Sequence, residues 1–409
     1  MTDLNPLIAR LAAIGVKVAA TEAPTTLDSL KAALAKVRAT KSQFVIAMDA
    51  AGTGLIPPEA LGPVTLIDLT GMDQIVELSG PFAYALVEPG VTFRQLGARI
   101  ATEKLPLWVD ATIDPDVSVA ASALARQFGY TPHGDRLMMQ CGAEVILPGG
   151  DVVRLGMGAV PGSKSWQMFK HNFGAYLDGL FSQSDMGVVT KLGVWLSPQP
   201  PEYRPFRVLL DDAEAADKAI NALRPLRIAN VIALNVAITT PLFDEAMFGA
   251  PKGGSRLSLT SALIGLPKVV ALTWPLVEKT VTDIAGAKLI ADNGDPYWGA
   301  RKQLMQGSLL SNASLTAPSL TFAAPAVGDV ISGAQDIFKE LAVEYLLTGR
   351  SMMAHVINPK DAGALIAAAA KLGFGLAGQS LEFEQHARAI RAKSGLATTQ
   401  SRLRAALHA

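Results

Sequence analysis

The sequence predicts an α+β protein of two domains, and three observations predict it. At 409 residues the chain is too long for one ordinary domain. Strand-like runs with turn signals between them dominate residues 64–196. After the proline-rich Ser197-Pro198-Gln199-Pro200-Pro201, which reads as a domain boundary, strand and helix patterns alternate.

The elements follow in order. Leu4, Leu7, Ile8, Leu11 and Ile14 recur at helical spacing, and Gly15 ends the stripe. Pro24-Thr25-Thr26 leads into an amphipathic helix over 27–39, with Thr25 or Thr26 as its cap. Residues 44–48 are a short buried strand, and 49–63, rich in Gly and Pro, are loop. Strands are predicted at 64–69, 75–78 and 84–88, then a helix over 92–102. Residues 138–147 and 152–155 flank Pro148-Gly149-Gly150-Asp151, a turn whose residues tolerate φ > 0, and so form a hairpin. Alternation makes 187–196 a strand. Beyond the prolines, strand 206–210, helix 213–223 and strand 231–239 make a β-α-β unit. A strand over 269–274, a helix over 281–285, a loop-rich 286–320, a strand over 320–323 and helices over 333–347 and 361–372 complete the chain. This gives domains 1–200 and 201–409, no internal repeat, and no return of the C-terminus to the first domain.

Composition narrows the function classes. Half the residues are apolar and 18% are charged, enough for a large core. Lys+Arg and Asp+Glu balance at 36 each, so there is no electrostatic footprint for nucleic acid or an anionic membrane. The single cysteine, Cys141, excludes an internal disulfide framework and a thiolate metal cluster, and reads as a small buried hydrophobe. The five histidines never fall at i, i+4, which argues against zinc. The mean hydropathy of +0.29 reflects alanine-rich helices, since the greasiest stretch, 364–378, is broken by Lys371 and glycines. With no signal-peptide pattern at the N-terminus, the expectation is a cytoplasmic protein, periplasmic only if exported with a partner.

From residue 84 the text becomes recognisable. YALVEPGVTFRQL (84–96) is similar to the segment after the flavin-diphosphate loop in the p-cresol methylhydroxylase and vanillyl-alcohol oxidase family of flavoproteins. GYTPHGDRLMMQCGAEVILPGGDVVRLGMGAVPGS (129–163) resembles that family's central flavin-domain hairpin, and WQMFKHNFGAYLDGLFSQSDMGVVTKLGVWLSPQPP (166–201) its continuation. LRPLRIANVIALNVAI (223–238) resembles the opening of the substrate domain, closest to the methylhydroxylase branch. Similarity covers 84–240 and, more weakly, 297–375.

The resemblance implies a two-subdomain FAD-binding domain over 1–200 and an α+β substrate or cap domain over 201–409. It implies an FAD lying extended between subdomains, its diphosphate held by backbone N–H groups of a glycine-rich loop. Carried over by position, the contacts to any bound FAD are Gly52, Thr53, Gly54, Arg126, Gly129, Tyr130, Val188, Val189 and Thr190. Val188-Val189-Thr190 match the backbone contact to the adenosine half; their plain alternative is a buried strand that needs β-branched residues.

Four departures bear on chemistry. The diphosphate loop, DAAGTGLIPPEALG (49–62), lacks the family's arginine and carries Asp49 at its mouth. At an effective dielectric of about 20, a charge about 6 Å away is worth a few kcal/mol, so the exchange of sign predicts a weak or empty site. In ASALARQFGYTPHG (121–134), Arg126 survives but Ala125 stands where an acidic side chain would meet the flavin ring. In GSLLSNASLTAPSLTFAAP (307–325) there is no Tyr, His or Cys to anchor flavin covalently, and Asn312 is the nearest counterpart. Finally, Ala377 and Gly378 stand where a Tyr-Arg pair would ionise a phenol, and Ala354 where an active-site Glu would be. Holding a phenol ionised at neutral pH takes about 4 kcal/mol of stabilisation, which such a pair supplies. Arg350, Arg388 and Arg391 are the cations left that could substitute. The sequence also ends at SRLRAALHA (401–409) where the family continues into a flavin-contacting tail.

Other motifs have plain readings. GMGAVPG (156–162) does not join a strand to a helix in a βαβ unit and is a turn, and SQSDMG (182–187) lacks the nucleophile-elbow spacing. The expectation is therefore a non-catalytic paralogue of a 4-alkylphenol-oxidising flavoprotein, with no cofactor, assembled with an active flavoprotein homologue and a small c-type cytochrome. Two alternatives remain open: an oxidoreductase that binds FAD without a covalent bond and oxidises a para-substituted phenol, and a repurposed binding module.

Overall fold

The computed structural model describes residues 2–56, 62–111, 114–172, 174–248, 256–290, 296–307 and 318–392, with Arg402, Leu403 and Ala406. The chain forms two compact units. The first is Met1–Phe128, Asp135–Pro198 and Ser380–Ala409; the second is Gly129–Gly134 and Gln199–Gln379. The division differs from a single cut at residue 200, because the C-terminal segment returns to the first unit and a six-residue piece of the resembling text lies in the second.

The first unit opens with a parallel sheet in which Pro63–Asp68 lies between Lys17–Glu22 and Gln43–Ala47. Strand residues alternate between faces. Val64 and Leu66 therefore face the helix Asn5–Ala13 through Leu4, Leu7 and Leu11, and Leu381 of the returning C-terminal segment completes that cluster. Ile67 packs with Leu30, Ala33, Leu34 and Val37 of the helix Leu27–Thr40. That helix starts where the sequence places it: the Thr26 side chain accepts from Ser29 N–H, and the Ser29 side chain accepts from Thr26 N–H. Thr92 and Gln95 repeat the device at Phe93–Thr102.

The five-stranded antiparallel sheet of this unit runs Ile75–Ser79, Tyr84–Val87, Val188–Trp195, Gln140–Ile146, Val152–Arg154. Phe93, Leu96 and Ile100 of one helix, and Val119, Ala120 and Ala123 of Val119–Leu124, pack with Val145, Leu192 and Val194 of the sheet. The two central strands shift register between Gln140 and Ala143, so Cys141 and Gly142 bulge against Gly193. A Cβ on Gly193 would lie 2.0 Å from the Cys141 carbonyl oxygen, which explains a glycine in mid-strand.

The second unit is built on an antiparallel sheet of eight strands, in the order Ala287–Ile290, Glu202–Leu210, Leu257–Gly265, Val236–Thr239, Ala342–Leu347, Ser351–Ile357, Ser319–Pro325, Gly375–Gln379. Ser258, Thr239, Glu344, His355 and Thr321 are successive cross-strand partners, so one row of one face is polar through five strands. The adjacent row, on the other face, is aromatic: Phe322 and Tyr345 pack with Phe338, whose ring also meets Phe374.

The structure corrects several expectations here. Residues 269–274 are helical, inside Pro267–Thr282, and the strand is the preceding Leu257–Gly265. The predicted helix over 333–347 is a short turn, Gln335–Phe338, followed by the strand Ala342–Leu347; the strand Ser351–Ile357 was not foreseen. Within 286–320 lie the strand Ala287–Ile290 and the helix Pro296–Met305. The helix after the domain boundary runs to Ile228, past Pro225. Beyond residue 379 the helix Glu384–Ala392 belongs to the first unit, tied to the N-terminal helix by an Arg10–Glu382 ion pair. The helix Pro267–Thr282 buries Val270, Val277 and Val281, yet Leu272 is 80% exposed, and Leu266, Val269 and Leu276 are at least half exposed. Among the described residues no helix is long and apolar enough to cross a membrane.

The Gly193–Cys141 approach gives a test. Gly193→Ala is expected to lower the unfolding free energy by about 3 kcal/mol or more in urea denaturation. Gly149→Ala, with nothing within 4 Å of the new carbon, should stay within about 0.5 kcal/mol of wild type.

Candidate functional site

Among the described residues, polar groups come together beside open space in each unit. In the first unit, strand Gln43–Ala47 ends in a loop in which Gly52 and Gly54 both have φ +67°, a conformation that L side chains rarely adopt. Gly54 is further confined, because a Cβ there would lie 3.3 Å from the Ala125 Cβ. The loop borders a cleft of about 590 Å³, open mouth included, lined by Phe44, Val45, Ile46 and Met48 on one side and Gln183, Ser184, Asp185, Gly187 and Val189 on another, with Thr53–Ile56 of the loop, Ala121, Leu124 and Phe181.

Asp49 does not stand at the mouth of this loop. It is buried, and its carboxylate accepts from Thr53 N–H at 2.9 Å and Ser118 N–H at 3.0 Å. Ser118 itself caps the helix Val119–Leu124. One buried carboxylate thus ties the glycine loop to the next helix. Burial pushes its pKa up from the ordinary carboxylate value, and the two N–H donors pull it part of the way back.

Of the residues assigned to FAD from the sequence, the cleft brings together Thr53, Gly54 and Val189, with Gly52 beside them against Leu7. The others lie elsewhere or are engaged otherwise. Arg126, at φ +59°, donates from Nε to Ser182 Oγ at 2.8 Å. Val188 packs with Leu30 and Ile67. The Thr190 hydroxyl bonds to Glu144, which also holds Lys191 and Arg154. Gly129 and Tyr130 belong to the second unit, where the Gly129 carbonyl accepts from Asn235 Nδ2 and the Tyr130 hydroxyl donates to Glu344. Cys141 is fully buried, and burial pushes its thiol up to about 11. Among the described residues no group of His, Cys, Asp and Glu could hold a metal ion. Asn312 and residues 57–61 lie outside the described residues.

The second place was not legible in the sequence. On the polar face of the eight-stranded sheet, Arg301 and Glu344 are each 6% exposed and pair at 2.5 Å. The Tyr130 hydroxyl donates to the same carboxylate at 3.0 Å, and the Arg301 guanidinium lies 4.2 Å from the Tyr130 ring centroid. His355 is the cross-strand neighbour of Glu344; burial lowers its pKa, and its Nδ1 is 3.1 Å from Thr321 Oγ1. A cleft of about 320 Å³, mouth included, is lined by Tyr130, Tyr203, Leu234, Asn235, Ala237, Thr260, Ser261, Arg301 and Met305. The signal available was a charged residue, Glu344, within the apolar run Ala342–Leu347, which a helix assignment hid. At the far end of this sheet, Ala377 and Gly378 lie on the strand Gly375–Gln379, and Gly378 faces the Thr321 side chain. The expected Tyr-Arg donors have no counterpart at these two positions.

Two outcomes are expected. Removing one partner of a buried ion pair strands the other, so Glu344→Ala should cost about 3–5 kcal/mol in urea denaturation, while Arg301→Met with Glu344→Leu together should recover most of it. For Asp49, a folded-state pKa above the unfolded value means stability present at low pH and lost as pH rises through the folded pKa. The stability difference between wild type and Asp49→Asn should therefore shrink as pH is raised from about 4 to about 7; a widening difference would show that the ionised form is the favoured one.

Comparison with known proteins gives the relatives. Residues 18–156 match the FAD binding domain family. The chain is 35% identical over 282 residues to the flavoprotein subunit of 4-cresol dehydrogenase (hydroxylating) from Pseudomonas putida, covering 63% of this chain and 54% of that one. It is 32% identical over 188 residues to 1'-carboxy-chondrochloren decarboxylase from Chondromyces crocatus, covering 46% of this chain and 35% of that one. The matches thus span about half or less of these curated relatives. Among solved structures, p-cresol methylhydroxylase with substrate bound superposes with a TM-score of 0.78 at 27% identity, covering 89% of this chain and 81% of that one. The 4-ethylphenol oxidase from Gulosibacter chungangensis reaches 0.82 at 20% identity, over 95% and 86%, a likeness of fold. The chain is similar to the flavoproteins of the p-cresol methylhydroxylase and vanillyl-alcohol oxidase family, shares their fold, and carries an FAD-binding domain in its first unit.

Proposed function

We propose that this chain is a family member that no longer oxidises phenols and serves as a structural or regulatory subunit beside an active flavoprotein, with a c-type cytochrome as a further candidate partner. The observation that carries this reading is the chemistry of the cleft in the first unit. Among the described residues its lining contains no lysine or arginine, and the Thr53 N–H of its glycine loop is already given to Asp49. A flavin diphosphate would be left with other backbone donors alone. The residues present fit the adenosine half of FAD better: Val45, Ile46, Val189 and Phe181 give apolar walls, and Thr53, Gly54 and Val189 are the residues that would hold the group. FAD, when bound in this fold, supplies the redox chemistry.

Two further observations support the reading. Ala377 and Gly378 offer no donor for a phenolate oxygen, and Ala125, packed against Gly54, offers no polar contact to a flavin ring. The apolar stripe of Leu266, Val269, Leu272 and Leu276 is the kind of exposed surface that marks protein contacts.

A second reading has its own observation. Gly52 and Gly54 keep the positive φ of an anion-binding loop beside an open cleft. That favours non-covalent FAD and an FAD-dependent oxidoreductase, with a para-substituted phenol or related aromatic as substrate.

An absorbance spectrum of the purified protein, before and after acid precipitation, separates the two. No flavin bands, even after incubation with FAD, together with co-purification of a flavin-bearing homologue, is the expected result. A yellow protein that releases its colour into the acid supernatant and bleaches with a para-alkylphenol would establish the second reading instead.

A further inference from the structure

The glycine loop of the first unit is satisfied from within the chain. Three of the four consecutive amides from Gly52 to Leu55 are already donating. Gly52 N–H goes to the Asp49 carbonyl at 3.3 Å, Thr53 N–H to the Asp49 carboxylate at 2.9 Å, and Leu55 N–H to the Gly52 carbonyl at 3.1 Å. The other carboxylate oxygen of Asp49 takes the Ser118 N–H at 3.0 Å. Two glycines at φ +67° give the loop the shape of a nest, in which backbone N–H groups turn towards a negative group. Here that group belongs to the chain itself.

The loop is also held in this form by its neighbours. A Cβ on Gly52 would meet Leu7 Cδ1 at 2.6 Å, and one on Gly54 would meet the Ala125 Cβ at 3.3 Å and the Ala121 carbonyl at 3.4 Å. Arg10 braces it as well: Nη1 donates to the Ala51 carbonyl at 2.8 Å, and its charge is met by Glu382 at 2.5 Å. Asp49 is 3% exposed, so solvent does not compete for its oxygens. A phosphate that took the Thr53 N–H would deprive a buried carboxylate of a donor, and leaving a buried acceptor short costs more than an ordinary hydrogen bond returns.

Resting on the non-catalytic reading of this chain, we propose that Asp49 is a built-in stand-in for a ligand phosphate: by holding the Thr53 N–H it lowers the affinity of the glycine loop for the diphosphate of a dinucleotide. Thr53 and Leu55 line the cleft, whereas Asp49 does not. Its effect is therefore on the loop donor and not on the apolar walls. Asp49 thus decides which ligands the cleft takes, penalising a diphosphate and leaving an uncharged adenosine unaffected.

ADP and adenosine are the probes, titrated by calorimetry into full-length wild type, Asp49→Ser and Asp49→Asn, each first checked for a cooperative unfolding transition. Asp49→Ser removes the carboxylate and releases the Thr53 N–H; Asp49→Asn removes the charge but keeps an oxygen that accepts from it. Asp49→Ser should bind ADP about tenfold more tightly than wild type, the worth of a hydrogen bond to a charged group, with adenosine unchanged and a smaller gain in Asp49→Asn. No gain for ADP in a folded Asp49→Ser protein overturns the proposal, as does an equal gain for adenosine. An equal gain in Asp49→Asn overturns it in favour of simple charge repulsion. If Asp49→Ser does not fold, wild type decides: ADP bound at least tenfold more tightly than adenosine overturns the proposal, and a diphosphate that adds no affinity supports it. A flavin-free wild type whose variants gain nothing sinks this inference alone and leaves the proposed role of the chain standing. If instead the wild type purifies with FAD, that role falls, and the inference stands only if Asp49→Ser retains more FAD through dialysis.

Discussion

Neither Arg301 nor Glu344 could occupy its position without the other. Each is buried, and an isolated charge in such surroundings is several kcal/mol out of balance. Their pairing joins the helix Pro296–Met305 to the strand Ala342–Leu347, and the Tyr130 hydroxyl adds a third segment to the same carboxylate. Three stretches of chain are thereby fixed to one another, with Arg301 43 residues and Tyr130 214 residues from Glu344. The polar row of the sheet follows from that arrangement. Thr239 and His355 flank Glu344 on the neighbouring strands, and Asp244 accepts from Thr239 Oγ1 at 2.6 Å. Most of the polar groups in this row of the sheet are paired with one another, which offsets the cost of burying them.

In the glycine loop of the first unit, Asp49 meets the same requirement. Asp49 reads, in the sequence alone, as a negative charge placed where a diphosphate should go. In the fold it is an internal acceptor that orders the glycine loop against the helix Val119–Leu124. The two readings differ because electrostatic sign is visible in a sequence and burial is not. A buried acid with two N–H donors is first a structural group, and its effect on a ligand comes through the donor that it occupies.

Local signals made most of the first unit legible. Capping residues, the Pro148–Asp151 turn and period-two alternation placed many of its helices and strands within a few residues, but the strand Lys17–Glu22 and the helix Val119–Leu124 were not foreseen. The second unit was legible only in part, for reasons that can be named. Val269, Val270 and Leu272 suggested a strand, yet Pro267 at the start of a helix, and buried Val270, Val277 and Val281 at helical spacing, outweigh β-branching. The stretch Ala342–Leu347 looked helical because it follows a genuine helical turn without a break in hydrophobicity. In the site, glycine positions were readable, whereas Arg301 and Glu344 meet only through the packing of the helix Pro296–Met305 on the sheet, which no local pattern encodes.

The helix Pro267–Thr282 has two faces that answer to different demands. Val270, Val277 and Val281 belong to the interior, and Leu266, Leu272 and Leu276 belong to the surface. Substitutions on the outer face would leave the folding free energy almost untouched, since exposed side chains contribute little to it. They would instead change how molecules meet: solubility, yield and self-association at high concentration. A stability screen of this protein would therefore score the leucines as dispensable, and would miss their effect on how molecules meet.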